Sequence, residues 1–221
     1  MKEIILVDKP VGISSFDVIR RLRKTLGKIK MGHAGTLDPL ASGLMIIGVE
    51  HGTKKLTDYL KLDKEYVAEI LLGIRTESGD LDGRVVAEKV VAEIFSKKKI
   101  SATLNSMIGT LTLPVSAFSA IKKDGVPLYK KARQAKLLGQ TIADTDLPIR
   151  DMKVYEAELL DVTQENNQTI IKARFKVGSG TYIRSLGEEL GKRLGYPATL
   201  KSLRRTVIGD FKIEDAITIN D

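Results

Sequence analysis

Asp38 stands in the segment Gly32-His33-Ala34-Gly35-Thr36-Leu37-Asp38-Pro39-Leu40-Ala41-Ser42-Gly43, one carboxylate among three glycines. Pro39 biases the residue before it toward extended backbone, and the glycines let another backbone come close. The pattern suits a single carboxylate presented at the floor of a cleft, and on local evidence it suits an ordinary turn Asp as well. The other chemistries are poorly served. The segment lacks the Lys-Ser/Thr ending of a P-loop and the spacing of a dinucleotide fingerprint, and it runs into a strand rather than opening a helix. The two histidines, His33 and His51, have no partner at helical metal-ligand spacing. Cysteine is absent, which excludes a disulfide framework, a thiolate metal site and a cysteine nucleophile together. No metal or cofactor is expected.

The elements that must position Asp38 can be read on both sides of it. Residues 3–7 form a β-branched apolar run that reads as a buried strand. Ser14 is placed to cap a helix whose apolar face carries Val18, Ile19, Leu22 and Leu26, with Gly27 as its stop. Residues 44–49 read as a second buried strand. A short helix near 53–60, a strand over 65–72, an acidic turn over 76–83 and a hairpin arm at 84–87 follow. Residues 100–108 look helical, 111–113 and 117–121 extended, and 128–136 form a basic helix. Strands over 154–162 and 169–177, an amphipathic helix over 182–194 and a last strand over 200–208 complete the pattern. Strands and helices mix without a βαβ rhythm, so an α+β fold with a mixed, largely antiparallel sheet flanked by helices is expected.

The 221 residues hold 36 Lys plus Arg against 28 Asp plus Glu, a formal net charge of +8. A positive excess suits a polyanion. Three clusters carry it. Between Val18 and Leu37 there is no acid, yet Arg20, Arg21, Arg23, Lys24, Lys28 and Lys30 all fall there. The others are Lys122, Lys123, Lys130, Lys131, Arg133 and Lys136, and then Lys192, Arg193, Lys201, Arg204 and Arg205. Solvated helix faces explain any one cluster; three together favour a nucleic-acid surface. No stretch approaches the roughly 18 apolar residues of a membrane span and no signal peptide is visible, so a cytoplasmic protein without a membrane partner is expected.

Taken whole, the segment from Lys30 to Gly43 resembles the active-site motif of the TruB family of tRNA pseudouridine-55 synthases. The likeness extends along nearly the whole chain. It includes Lys9-Pro10-Val11-Gly12-Ile13-Ser14-Ser15, Lys64-Glu65-Tyr66, the turn over 73–83, Ser119-Ala120-Ile121-Lys122 with Gly125 and the run over 129–134, Gly180-Thr181-Tyr182-Ile183-Arg184, and Leu203-Arg204-Arg205. The resemblance implies an isomerase that converts the T-loop uridine of tRNA to its C5-linked isomer without cofactor or metal. It implies that Asp38 is the catalytic carboxylate, attacking C1′ or removing the 2′ proton, and that Arg184 pairs with it and favours its ionised form. Tyr66 would stack on the target base with its hydroxyl free for proton transfer. Tyr182 and Leu203 would line the pocket, His33 would fill the place that the flipped base vacates, and Lys9 and Lys122 would serve substrate binding.

Three departures from the family pattern stand out. The usual Gln-x-Pro-Pro run is replaced by Leu113-Pro114-Val115-Ser116-Ala117-Phe118, the RNA-clamping thumb carries extra residues around 137–147, and the chain ends at Asp221. The expectation is therefore a single catalytic domain over 1–221, with a thumb-like insertion at about 114–148 and no C-terminal PUA-type domain. The expected partner is tRNA, at its T-arm and elbow, bound by a monomer with no obligatory protein partner. Two other readings stay open: a non-catalytic tRNA-folding chaperone, and a dyskerin-like synthase directed by a guide RNA.

Overall fold

The computed structural model describes residues 3–119, 121–138, 140, 142, 146–165 and 168–219. Chain order begins β1 (Ile4–Lys9), α1 (Ser15–Leu26), β2 (Met31–His33), β3 (Ala41–Val49), a 3-10 turn (Glu50–Lys55), α2 (Leu56–Lys61) and β4 (Lys64–Leu72). A small ribbon of β5 (Ile74–Thr76) and β6 (Val85–Glu88) leads to α3 (Lys97–Asn105) and β7 (Gly109–Pro114). Next come β8 (Lys122–Lys123), β9 (Val126–Pro127) and α4 (Leu128–Leu137), then β10 (Ile149–Glu165), β11 (Gln168–Val177), α5 (Ile183–Leu194), β12 (Ala198–Ile208), β13 (Phe211–Lys212) and β14 (Ile217–Thr218).

One sheet organises the molecule, in the order β14-β1-β3-β12-β4-β11-β10-β7, with β2 on β3 and β13 on β12. The pairs β1–β14 and β3–β12 are parallel and the others antiparallel. This is the mixed, largely antiparallel α+β arrangement expected from the sequence. Alternate residues of β11 are buried, as period-two patterning requires of a strand with one face on a core.

Two helices matter most for the site. Ser14 caps α1: its hydroxyl accepts from the Asp17 amide, and the Asp17 carboxylate accepts from the Ser14 amide. Helix α5 lays Ile183, Leu186, Leu190 and Leu194 on the sheet. Gly191 permits that approach, because a Cβ there would stand 2.4 Å from the Ala198 Cβ on β12.

The sequence carries no expectation for the short strands β8, β9, β13 and β14, and two further points differ. Residues 117–119 form turns rather than the extended run expected over 117–121, whose residue 120 lies outside the described residues. The three-residue strand β2 was not anticipated, since its two glycine-flanked positions give no strand signal. The excursion between β7 and β10 leaves and rejoins the sheet at one place, where Pro114 lies opposite Ile149 and the Val115 amide donates to the Pro148 carbonyl at 2.9 Å. This is the stretch read as the thumb; part of its extra 137–147 segment lies outside the described residues.

Candidate active site

The loop carrying Asp38 is held by backbone and side-chain bonds from three sides. Ser15, in the first turn of α1, donates its hydroxyl to the Leu37 carbonyl at 3.0 Å and accepts from the Leu37 amide at 2.8 Å. The Gly12 amide donates to the Pro39 carbonyl at 2.8 Å, and the Ala41 amide to that of Asp38 at 3.0 Å. From below, the fully buried Arg205 donates to the carbonyls of Leu44 at 2.8 Å and Gly35 at 3.2 Å. Gly43, at φ +111°, is what lets β3 lie against β12 here, since a Cβ would fall 2.2 Å from the Arg205 carbonyl oxygen. The Asp38 neighbours are thus pinned, and its side chain remains 38% exposed.

Arg184, in the first turn of α5, reaches that carboxylate, with Nη2 3.1 Å from Asp38 Oδ2. The same guanidinium donates to the Ser78 carbonyl at 2.9 Å and the Phe118 carbonyl at 3.0 Å, and its Nη1 lies 3.6 Å from Asp80 Oδ2. A planar fork with five donors can serve four acceptors at once, which a lysine could not. Asp80 is itself buried and fixed, accepting from the Ser78 hydroxyl at 2.5 Å and the Asp82 amide at 3.2 Å. Three segments distant in sequence therefore converge on one cation: the Asp38 loop, the β5–β6 turn and the base of the excursion.

Burial wins over the ion pair at Asp38. Desolvation raises its pKa above the ordinary 3.8, Asp80 adds to that, and Arg184 and Lys9 only oppose it. Arg184 favours the ionised form and limits the rise without reversing it. Lys9 also departs from its expected role. It has no exposed surface, its ammonium donates to the carbonyls of Pro10 at 2.9 Å and Ile13 at 2.7 Å, and burial brings its pKa down to about 8. It holds the turn under the Asp38 loop, where no substrate atom can reach it.

The remaining predicted residues surround this centre. Tyr66 on β4 lies opposite Arg205 of β12, and Leu203 lies opposite Ala68 of β4 and Ala41 of β3. Opposed residues share a face, so Tyr66 and Leu203 are diagonal neighbours on the sheet, reached from Asp38 through Ala41 three residues on. Both are nearly buried in the core that also holds Ile183 and Leu186. His33 ends β2, with a buried Nδ1 that has no hydrogen-bond partner among the described residues. Burial, then Arg205, push its pKa down. Tyr182 caps α5 and packs on the cluster of Val115, Leu128 and Met152 at the base of the excursion; burial raises its phenol. Lys122 stands exposed on the β8–β9 hairpin, without a described contact to the centre.

Sequence reasoning missed Ser15, Ser78 and Asp80. The turn over 76–83 was read as acidic, yet nothing local says that its second carboxylate faces α5. The third basic cluster is a surface only in part: Lys192, Arg193 and Lys201 are exposed, and the other two are not free. Arg205 is buried, Arg204 pairs with Asp8 at 2.7 Å, and Arg193 pairs with Glu189 at 2.7 Å. Among the described residues, no three His, Cys, Asp or Glu side chains are grouped to hold a metal ion.

The sequence and the fold have known counterparts. The family model for the TruB family pseudouridylate synthase (N terminal domain) matches residues 23–183, and the chain belongs to that family. Among curated relatives, the tRNA pseudouridine synthase B of Desulfotalea psychrophila is 39% identical over 217 residues, covering 97% of this chain and 85% of that protein. That of Fusobacterium nucleatum is 38% identical over 214 residues, covering 97% of this chain and 70% of the relative. Among solved structures, a chain of a Cbf5-Nop10-Gar1 complex superposes with a TM-score of 0.71 at 28% identity, over 98% of this chain and 52% of the other. A chain of an H/ACA RNP bound to a substrate RNA containing 2′-deoxyuridine gives 0.67 at 29% identity, over 97% and 50%. No helix among the described residues is long and apolar enough to cross a membrane.

Proposed function

We propose that this chain isomerises a uridine of tRNA to pseudouridine, that the target is the T-loop uridine at position 55, and that Asp38 is the catalytic carboxylate. The observation that carries the assignment is the Arg184–Asp38 contact of 3.1 Å, with the guanidinium fixed by Asp80 and two carbonyls. The relatives named tRNA pseudouridine synthase B support the substrate class.

The reaction breaks the bond between C1′ and N1, turns the base, joins C5 to C1′, releases the C5 proton and leaves N1 protonated. A carboxylate oriented by a fixed fork can attack C1′ or take the 2′ proton; both need it ionised, which Arg184 favours, and aimed, which the held loop supplies. Tyr66 and Leu203 provide an apolar wall against which a detached base can turn without escaping, and Tyr66 stacks on it. His33, with an unpartnered ring nitrogen, stands in for the base that has left its loop. The T-arm and elbow of tRNA are the partner surface. One copy holds Asp38, Asp80, Arg184 and Tyr66, so a monomer suffices, working where tRNA is modified, in the cytoplasm.

The test is to incubate the protein with an unmodified tRNA transcript, add no other RNA, and map pseudouridine. One modified site in the T-loop is the expected result. A second reading draws on the likeness to a chain of an H/ACA RNP: here a guide RNA would choose the uridine, and no site would form until such an RNA was added. The chaperone reading predicts tRNA binding with no pseudouridine at all.

A further inference from the structure

We infer that the solvent face of α1 is a second RNA-binding surface, holding phosphates outside the catalytic cleft, with Phe16 as a stacking platform at its inner end. The inference rests on the proposed function, since it assigns more of the same RNA to the protein. Helix α1 starts at Ser15, the residue tied to Leu37 beside Asp38, and its 12 residues lead away from the cleft for about 18 Å.

Val18, Ile19 and Leu22 are buried beneath it. Phe16, Arg20 and Lys24 repeat every fourth residue on the other side, with Arg23 adjoining them and Lys28 just past the Gly27 that ends the helix. Arg20, Arg23, Lys24 and Lys28 line one shallow hollow of about 510 Å³ with no other residue type in it. Arg20 pairs with Asp17 at 2.6 Å, and Arg23 donates to the Ile29 carbonyl at 3.3 Å. Those bonds hold the two arginines in place and leave donors to spare. Lys24 and Lys28 have no carboxylate partner among the described residues. A hollow walled by four cations and free of acids from Val18 to Leu37 is complementary to a polyanion backbone.

Phe16 adds a feature that a merely solvated face would not need. It is 49% exposed, and the Arg20 guanidinium lies over its ring at 5.1 Å from the centroid. An exposed aromatic ring with a guanidinium stacked on it is the arrangement on which unpaired bases settle. Its position at the start of the helix places such a base close to the target uridine.

The experiment uses the full chain as wild type, Lys24→Ala/Lys28→Ala, Phe16→Ala and Phe16→Tyr, with whole tRNA and with an isolated T-arm hairpin. Binding is titrated against salt, and single-turnover isomerisation is followed at saturating RNA. For the double variant, Kd should rise about tenfold and the slope of log K on log salt should become shallower by about 1.5, as expected for two lost phosphate contacts. Phe16→Ala should raise Kd at least about fivefold and Phe16→Tyr should restore it. These losses should fall on Kd and not on the saturated rate. Loss with both RNAs assigns the phosphates to the target arm, and loss with whole tRNA alone assigns them to a neighbouring arm; either supports the inference. Kd and slope equal to wild type, or a fall in saturated rate with Kd unchanged, would overturn it while leaving the proposed function standing. A wild type that neither binds nor isomerises tRNA would overturn both.

Discussion

Burial raises the Asp38 carboxyl above its ordinary range even with Arg184 at 3.1 Å, so the folded protein carries a cost that the unfolded chain does not. The sign follows from linkage. As pH rises past 3.8 the unfolded chain loses this proton first, so stability falls with pH until the folded carboxyl has ionised, and stays lower above that. Asp38→Asn should therefore match wild type in strong acid and equal or exceed it in melting temperature at pH 7, while losing activity. A clear loss of stability at pH 7 in the mutant would contradict the burial argument. Arg184→Lys keeps a charge but not the fork, and misplacement of Asp38 should lower the isomerisation rate by about 10². Arg184→Met leaves two carboxylates facing each other and should cost about 3–5 kcal/mol in a denaturation experiment. Asp38, Arg184 and Tyr66 were singled out in the sequence by resemblance to family motifs, each confined to one short segment. Asp80 was not, because its partner lies 104 residues away on another element.

At the scale of elements, α1 and the β3–β12 contact form a cradle for one loop. Ser15→Ala removes both bonds to Leu37 and leaves a buried amide and carbonyl unpaired, at about 1–3 kcal/mol. Because those groups flank Asp38, the variant should also lower the saturated isomerisation rate, whereas Ser14→Ala, which removes only the helix cap, should cost about 1 kcal/mol and spare the rate. Equal rates for the two variants would mean that Ser15 does not position the loop. The strands and helices themselves were readable from apolar spacing and caps, as in α1, β4, β11 and α5. The failures had physical causes: β2 owes its existence to pairing with β3, and residues 117–119 form the turn whose Phe118 carbonyl accepts from Arg184, a long-range bond that local sequence does not reveal.

For the molecule as a whole, the +8 charge is spread less evenly than the sequence suggests. Arg205 is spent inside the fold and Arg204 is tied to Asp8, which leaves α1, the excursion carrying α4, and the exposed Lys192 and Lys201 as the basic surface. Binding of tRNA should weaken steeply with salt, with log K falling by about 0.7–0.9 for each phosphate contact per decade of salt; a salt-independent affinity would remove the electrostatic account. Sequence resemblance could indicate the reaction, but only the structure shows which cations remain free to meet RNA. The most direct measurement is tritium release from tRNA labelled at uridine C5, by wild type and by Asp38→Asn. Joining C5 to C1′ must expel that hydrogen, so stoichiometric release by wild type and none by a folded, tRNA-binding Asp38→Asn is the predicted result. Release by the mutant at the wild-type rate would show that Asp38 does not carry the chemistry.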